Sequence, residues 1–524
     1  MQAHLLRIAL GAALSSLATA QHAPRHLLCT WQGDPGTTLT LSYQSTGSKP
    51  LPARLYWDTE PRDGEVAAYR QRAEGETTTI PGLAGRWIHK VELRGLEPGR
   101  AIYLCAGDPA SGISRELRVR TIARDERALR FVTGGDMGTE APVRAMLRRA
   151  AATSPDFALI GGDIAYANGK LENVDRWDTW LAYYSEEMVR PDGFAIPLVL
   201  AIGNHEVDGS FLRPKEQAPF WFGFFPQGGQ SYFARRFGAH FACLVLDSSH
   251  IAPHGGEQAA WIDRTLEELR EVPHRAAIYH VPLFPSHREL EGAYSALGRQ
   301  HWMPLFERHG LEVAFENHDH SYKRTPPLRG GAPAERGVVY LGDGCFGQRP
   351  RTVAFGSRSY LREQGAWRHF WQVEVTRERM VCRAIDEQGR VFDVWPEDAE
   401  GAGEAAALRR TLEMRYGVPR AWVEVDPLPT SSGGALRLRF ENRAEVPLEL
   451  RVALRKAPRG ARFEAPPPQR VAADQRVELA LALELPSPVD VEKPELELEL
   501  EARGVEKTGR ALYFTSILAL KVAR

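Results

Sequence analysis

Five short pieces of this chain carry residues suited to gripping metal ions: Gly135-Asp136-Met137-Gly138, Gly162-Asp163-Ile164-Ala165-Tyr166, Gly203-Asn204-His205-Glu206, Ala277-Ile278-Tyr279-His280 and Asn317-His318-Asp319-His320. Asp136, Asp163 and the phenolic oxygen of Tyr166 are anionic donors, and His320 is a neutral nitrogen donor. Such a charge-rich oxygen set suits a hard trivalent ion such as Fe(III). Asn204, His280 and His318 are neutral, and with Asp163 shared as a bridge they suit a divalent ion, Zn, Mn or Fe(II). A trivalent and a divalent ion together outweigh the three anionic ligands, and the surplus favours an oxyanion such as phosphate. Two bridged ions lie about 3.5–4 Å apart, a spacing that supports in-line displacement at phosphorus. Water at such a site ionises near neutral pH, which supplies a nucleophile without Ser or Cys.

These residues are scattered over roughly 185 positions, so the fold must gather them. Each piece follows a short apolar run, LRFVTG, DFALIG, IPLVLAIG, RAAIY or LEVAFE, that reads as a buried strand. Helical stretches between the runs predict a parallel or mixed sheet covered on both faces. In such sheets the loops beyond the carboxyl ends of the strands share one rim, where ligands bind. Amphipathic helices are expected at 141–153, 175–187, 257–269 and 300–309, giving an α/β layered domain over residues 128–396. His301 and His309 fall on the last of these and read as structural. Before it, residues 24–123 show alternating strands broken by Gly, Pro and Asp turns, a small antiparallel sandwich with nothing catalytic in it. After it, 397–420 reads as a helical linker and 421–524 as a second β-sandwich of unknown role. The fold class is therefore multidomain, an α/β layered sandwich flanked by two β-sandwiches.

The five ordered motifs resemble the calcineurin-like metallophosphoesterase superfamily, and the Tyr of GDIAY is similar to its purple acid phosphatase branch. Further likeness lies in SYFARRFGAHFACLVLDSS, GGEQAAWIDRTLEEL and HDHSYKR, and HKVELRGLEPGRAIYLCAG resembles a fibronectin type III corner. The resemblance covers roughly residues 30 to 395 and leaves the carboxy-terminal sandwich outside. It implies that Asp136, Asp163, Tyr166 and His320 hold a ferric ion, and that Asp163, Asn204, His280 and His318 hold a divalent one. It implies further that His205 faces the phosphate and assists the leaving oxygen, that His287 is a second substrate-facing His, and that tyrosinate-to-iron charge transfer colours the protein. The chain departs from the family in placing Asn317 where Gly is usual. The expectation is that Asn tolerates left-handed backbone angles there.

The activity so implied is hydrolysis of phosphate monoesters by attack of metal-bound hydroxide. A phosphodiesterase or nucleotide-cleaving enzyme on the same centre is the neighbouring alternative. An adhesion or binding protein with a vestigial centre is the alternative of another class, and seven filled ligand positions speak against it. Substrates are expected to be phosphorylated small molecules or phosphoproteins. A formal net charge of −1 gives no argument for nucleic acid as a partner.

Residues 1–20, with an early Arg, an apolar stretch and Ala18-Thr19-Ala20, read as a cleaved secretory signal, so the protein is expected to be exported with no membrane span. Export permits a disulfide between Cys29 and Cys105, while Cys243, Cys345 and Cys382 read as buried thiols. Gly342-Asp343-Gly344-Cys345-Phe346-Gly347 matches GxGxxG, but Gln348-Arg349-Pro350 follows it rather than a helix. The dinucleotide reading fails on that ground, and a rim-shaping loop is expected instead.

Overall fold

The computed structural model describes residues 23–356, 358–426, 434–485 and 496–520, so the secretory signal read at 1–20 lies outside the described residues. The chain divides into two compact units.

The first unit begins with two antiparallel sheets. One contains Arg25–Thr30, Thr38–Thr46, Arg86–Arg94 and Glu76–Thr78, and the other Gln71–Glu74, Arg54–Asp58, Ala101–Asp108 and Leu117–Arg120. Period-two alternation turns Leu39, Leu41, Val91 and Leu93 of one sheet and Leu55, Leu104 and Val119 of the other into a shared core. The disulfide held open for Cys29 and Cys105 is not formed. They are separate buried thiols on strands of opposite sheets, and Cys105 Sγ instead lies 3.0 Å from the Tyr69 hydroxyl.

The α/β region follows. Its strands are β1 (Leu129–Gly134), β2 (Phe157–Ile160), β3 (Leu198–Leu200), β4 (Phe233–Phe237), β5 (Phe241–Val245), β6 (His274–Ile278), β7 (Val313–Phe315), β8 (Tyr322–Arg324), β9 (Val339–Gly342), β10 (His369–Val375), β11 (Met380–Asp386) and β12 (Val391–Trp395). One sheet runs β3-β2-β1-β10-β11-β12, and the other contains β4-β5-β6-β7-β9-β8. The apolar runs are buried on both sides because the sheets pack face to face through phenylalanines. Phe131 lies 5.0 Å from Phe241, and Phe157 stacks 4.1 Å from Phe237. Such pairs contribute about 0.5–1.5 kcal/mol each beyond their area. Helices cover the outer faces: α1 (Ala141–Ala152), α2 (Val174–Glu187), α3 (Glu257–Glu268), α4 (Ala293–His301) and α5 (Met303–Arg308). The helix expected at 300–309 is thus two pieces. Pro304, in the first turn of α5, has no N–H to continue the ladder of α4, so the chain restarts at Trp302.

Register decides where the site falls. Gly134, Ile160 and Leu200 stand abreast at the parallel ends of β1, β2 and β3, as do Ile278 and Phe315 at the ends of β6 and β7. All five motif loops therefore leave the two sheets at their carboxyl ends.

The second unit comprises residues 350–358, 364–366 and 403–524. Within the segment read as a helical linker, Ala402–Thr411 is helix, whereas Met414–Gly417 is a strand paired with Ala511–Leu520. A five-stranded and a four-stranded sheet follow, with Leu496, Leu498 and Leu500 buried and the alternate positions Glu497, Glu499 and Glu501 more exposed. Phe355 packs with its ring centre 4.9–5.2 Å from those of Tyr416, Trp422 and Phe514.

Candidate metal centre

The loop after β1 and the loop after β2 are laced together by main-chain bonds. Asp136 N donates to Gly162 O at 3.0 Å, Met137 N to Asp163 O at 2.9 Å and Gly138 N to Ile164 O at 2.7 Å. Across the rim, Asn317 N donates to His280 O at 3.0 Å, and His318 N to Asp136 Oδ2 at 2.7 Å. Asp136, Asp163, Tyr166, His318 and His320 all adopt positive φ, between 52° and 80°. That conformation is uncommon for side chains with a Cβ and concentrates at sites that must aim groups inward.

The side chains form two clusters. In the first, His280 Nε2 lies 3.1 Å from Asp163 Oδ2, 3.1 Å from Asn204 Oδ1 and 2.9 Å from His318 Nδ1. His280 Nδ1 donates to Gly161 O at 2.9 Å, which fixes the tautomer and leaves Nε2 with its lone pair facing the cluster. In the second, His320 Nε2 lies 3.0 Å from Asp136 Oδ1 and 3.0 Å from the Tyr166 hydroxyl, which is 3.3 Å from Asp136 Oδ1. A shell of donors about 2.1 Å from an ion has edges of about 3.0 Å if octahedral and about 3.4 Å if tetrahedral. Both clusters have edges of that length, so these residues fit metal ions. Asp136, Asp163, His280 and His320 are buried, while Tyr166, Asn204 and His318 border the opening.

Electrostatics fit the same use. Burial pushes the Asp163 carboxyl upward, but the charge and hydrogen bond of His280, helped by His205 and His318, hold it well below the usual range. Burial opposes the charge on His280, yet Asp163 and Asp136 raise its pKa to about 9. Burial and the neighbouring His280 and Arg288 charges keep His318 neutral. A cation is thus already required between these acids, a role an ion fills once the imidazoles release their protons.

His205 stands beside the clusters, its ring 4.2 Å from that of Tyr166 and its Nε2 3.8 Å from Asp163 Oδ2. Its Nδ1 bonds Asn168 Oδ1, and its main-chain N–H donates to Asp163 Oδ1 at 2.8 Å. Burial lowers its pKa against the pull of Asp163. His287 is drawn to the ligand turn by its backbone, the N–H donating to Asp319 Oδ2 at 2.7 Å.

Sequence reasoning left three supporting residues without a role. Glu206 is buried, and its carboxylate accepts N–H bonds from Asp163 at 2.7 Å, Gly203 at 2.9 Å and Ile164 at 2.9 Å, clamping the β2 and β3 loops. Burial and Asp163 raise its pKa to about 7. Asp319 points away from the clusters that its neighbours His318 and His320 enter, and it accepts from Arg288 Nη1 at 2.7 Å. Arg288 also donates to His318 O at 2.6 Å. Alternation around two ligand histidines was the available signal for Asp319; Arg288 carried none. Beneath them Lys323, Glu316 and Asp343 form a fully buried ionic group that anchors the β6 loop through Leu283 and Ser286.

Asn317 needs correction. Its backbone is not left-handed; His318 and His320 carry the positive φ values. Its side chain instead donates to Tyr279 O at 2.9 Å and fills space beside two glycines. A Cβ on Gly161 would meet Asn317 Nδ2 at 1.8 Å, and one on Gly135 would meet Oδ1 at 2.6 Å. The 342–347 loop does shape the rim, since Phe346 N donates to Gly135 O and Gly347 N to Asp136 O.

Comparison with known proteins agrees with this architecture. The family description "Calcineurin-like phosphoesterase" matches residues 129–322, and "Purple acid Phosphatase, N-terminal domain" matches residues 24–121. The chain is similar to purple acid phosphatase 15 of Arabidopsis thaliana, 26% identical over 298 residues, covering 50% of this chain and 54% of that protein. It is also similar to probable inactive purple acid phosphatase 27 of the same plant, 27% identical over 229 residues, covering 40% and 36%. The chain thus spans about half or less of the length of these relatives. The solved structure of purple acid phosphatase PPD1 from yellow lupin seeds superposes with a TM-score of 0.60 at 17% identity, covering 71% of this chain and 74% of that one, which speaks to the fold. Residues 24–121 therefore belong to the purple acid phosphatase amino-terminal domain family, and residues 129–322 to the calcineurin-like phosphoesterases.

Proposed function

We propose that this protein is an exported phosphatase that hydrolyses phosphate monoesters at a dinuclear metal centre. The convergence of seven donors from five loops into two clusters with edges near 3 Å carries the reading. Asp136, Asp163, Tyr166 and His320 would hold Fe(III), and Asp163, Asn204, His280 and His318 a divalent Zn, Mn or Fe ion. When bound, the ions supply Lewis acidity that neutralises the phosphoryl oxygens and acidifies water.

The remaining chemistry belongs to the chain. Asp163 Oδ2 faces His280 while its Oδ1 accepts the His205 main-chain N–H, which fixes the carboxylate in the first cluster, where it would be the shared ligand. Asn168 Oδ1 accepts from His205 Nδ1 and the Tyr166 ring supports its face, so Nε2 is the atom that would take up a second proton beside the bound phosphate and pass it to the departing alkoxide. His287, held at the ligand turn through Asp319, is the second candidate for contact with the phosphoryl oxygens. The 24–123 domain is read as fibronectin-like and 421–524 as a second β-sandwich, with 397–420 as the connection.

The test is metal analysis and a visible spectrum of the purified protein, with hydrolysis of p-nitrophenyl phosphate and its bis-ester. About two metals per chain, a purple colour lost in Tyr166→Phe, and faster cleavage of the monoester support the reading. Faster cleavage of the bis-ester would replace it with a phosphodiesterase, and a metal-replete protein inert to both esters would refute it.

A further inference from the structure

A second group of charged side chains sits at the opposite ends of the same strands. The guanidinium carbons of Arg118 and Arg120 lie 3.9 and 4.3 Å from the centre of the Phe194 ring, and that of Arg190 lies 5.9 Å away. Arg190 is neutralised by Asp156 and Asp192, each at 3.1 Å. Arg118 and Arg120 have no comparable partner. Among the described residues neither forms an ion pair, and their Nη1 atoms donate to the backbone carbonyls of Asp192 and Gly99. Arg118 Nε is buried without an acceptor. Two partly buried cations sharing one ring, neither in an ion pair, are a costly arrangement.

Beside them lies a cavity of about 40 Å³ bordered by Arg120, Arg127, Arg190, Phe194 and His240. His240 is only 2% exposed, and neither ring nitrogen makes a hydrogen bond, although Nε2 approaches Glu126 Oε2 at 3.3 Å. Asp125 and Asp156 also border the cavity, but both are engaged. Arg127 holds Asp125 at 2.7 Å, while Arg190 and the Arg130 N–H hold Asp156. Of the charged lining residues, Arg120 alone is left outside an ion pair among the described residues, beside a buried imidazole whose ring nitrogens make no hydrogen bond. Burial, with the nearby Arg190 and Arg118, lowers the pKa of Arg120 against the opposing pull of Asp192.

Position separates this cavity from the metal centre. Leu129 opens β1, Asp156 precedes β2 and His240 precedes β5, so the cavity lies at the amino ends of these strands. The six residues of β1 put roughly 20 Å between it and Asp136. Size narrows the occupant. One water needs about 10–15 Å³ on this measure, so the cavity takes about three or four waters, which is the bulk of one tetrahedral oxyanion.

We propose that this cavity binds a single small oxyanion, inorganic phosphate or sulfate, through Arg120 and His240. The site is independent of the catalytic reading. Residues 121–129, which join the amino-terminal domain to β1, frame it, so a bound anion ties the two together.

Titration calorimetry of the intact, metal-loaded protein with inorganic phosphate tests this. The expected result is two phosphates per chain, one at the metal centre and one here. Arg120→Gln is expected to weaken one of the two by about tenfold or more, the scale of a lost charge-assisted contact. Inhibition of p-nitrophenyl phosphate hydrolysis by phosphate stays unchanged in the same variant. His240→Gln gives a second reading should Arg120→Gln fold poorly. If the metal centre binds no phosphate, wild type retains one site that Arg120→Gln removes, so the two proposals fail separately. Sulfate in place of phosphate distinguishes a general oxyanion site from a phosphate-selective one, and pyrophosphate is expected to be too large. Unchanged phosphate stoichiometry and affinity in both variants, or pyrophosphate binding as tightly as phosphate at the Arg120-dependent site, would overturn the proposal.

Discussion

Replacing Glu206 by Ala should cost more than replacing any metal ligand in the same loop, because of what Glu206 accepts. Three main-chain N–H groups, from Asp163, Gly203 and Ile164, point at one buried carboxylate over distances of 2.7–2.9 Å. A stranded buried donor costs about 1–3 kcal/mol. Three of them sum to several kcal/mol, and water entering the vacated space would recover part, leaving about 3–5 kcal/mol. Glu206→Gln separates the contributions. Its carbonyl can keep both bonds now made to Oε2, by Asp163 and Gly203, while its NH₂ confronts the Ile164 N–H. Only one donor is then lost, so about 1–3 kcal/mol is expected. The assay is the midpoint of urea unfolding at unchanged m, with metal content measured on the same samples. The Ala variant should also lose metal, because its clamp holds Asp163 and Asn204 in register. An Ala variant within 1 kcal/mol of wild type, carrying full metal, would refute the reasoning.

Two further outcomes follow from the amino-terminal core and the rim. His89 is buried between Ser45 Oγ at 2.8 Å and Thr77 Oγ1 at 3.0 Å, and burial lowers its pKa from 6.5 to about 4. The folded state therefore binds this proton less readily than the unfolded chain. Its contribution is complete above pH 6.5 and falls by about 2 kcal/mol between pH 7 and pH 5. Unfolding midpoints across that range should fall less steeply in His89→Gln than in wild type. Gly161→Ala should destabilise the rim, since its Cβ would meet Asn317 Nδ2 at 1.8 Å, and Asn317→Gly should rescue it. Additive effects in that double-mutant cycle would contradict the contact.

Which residues attract metal, and which runs become buried strands, was legible along the chain. FALI is apolar and buried on both faces, and FV of LRFVTG likewise, a continuity that distinguishes them from the alternation of LELELEAR. The break between α4 and α5 was carried by Pro304, yet a run of apolar spacing across 300–309 masked it. The role of Asn317 could not be read, because it rests on glycines about 155 and 180 positions earlier in the chain whose missing Cβ atoms leave room for its amide.

Donor chemistry is a property of residue type, so the sequence by itself determined the candidate ligands Asp136, Asp163, Tyr166, Asn204, His280, His318 and His320 and the order of their loops. Only the tertiary structure decided that His280 presents Nε2, that Glu206 clamps two loops and that Arg118 and Arg120 share a ring outside any ion pair among the described residues. The physical reason is that hydrogen bonds and charge pairs depend on distances of a few ångströms. Those distances are set by strand register and sheet packing between segments that lie far apart along the chain.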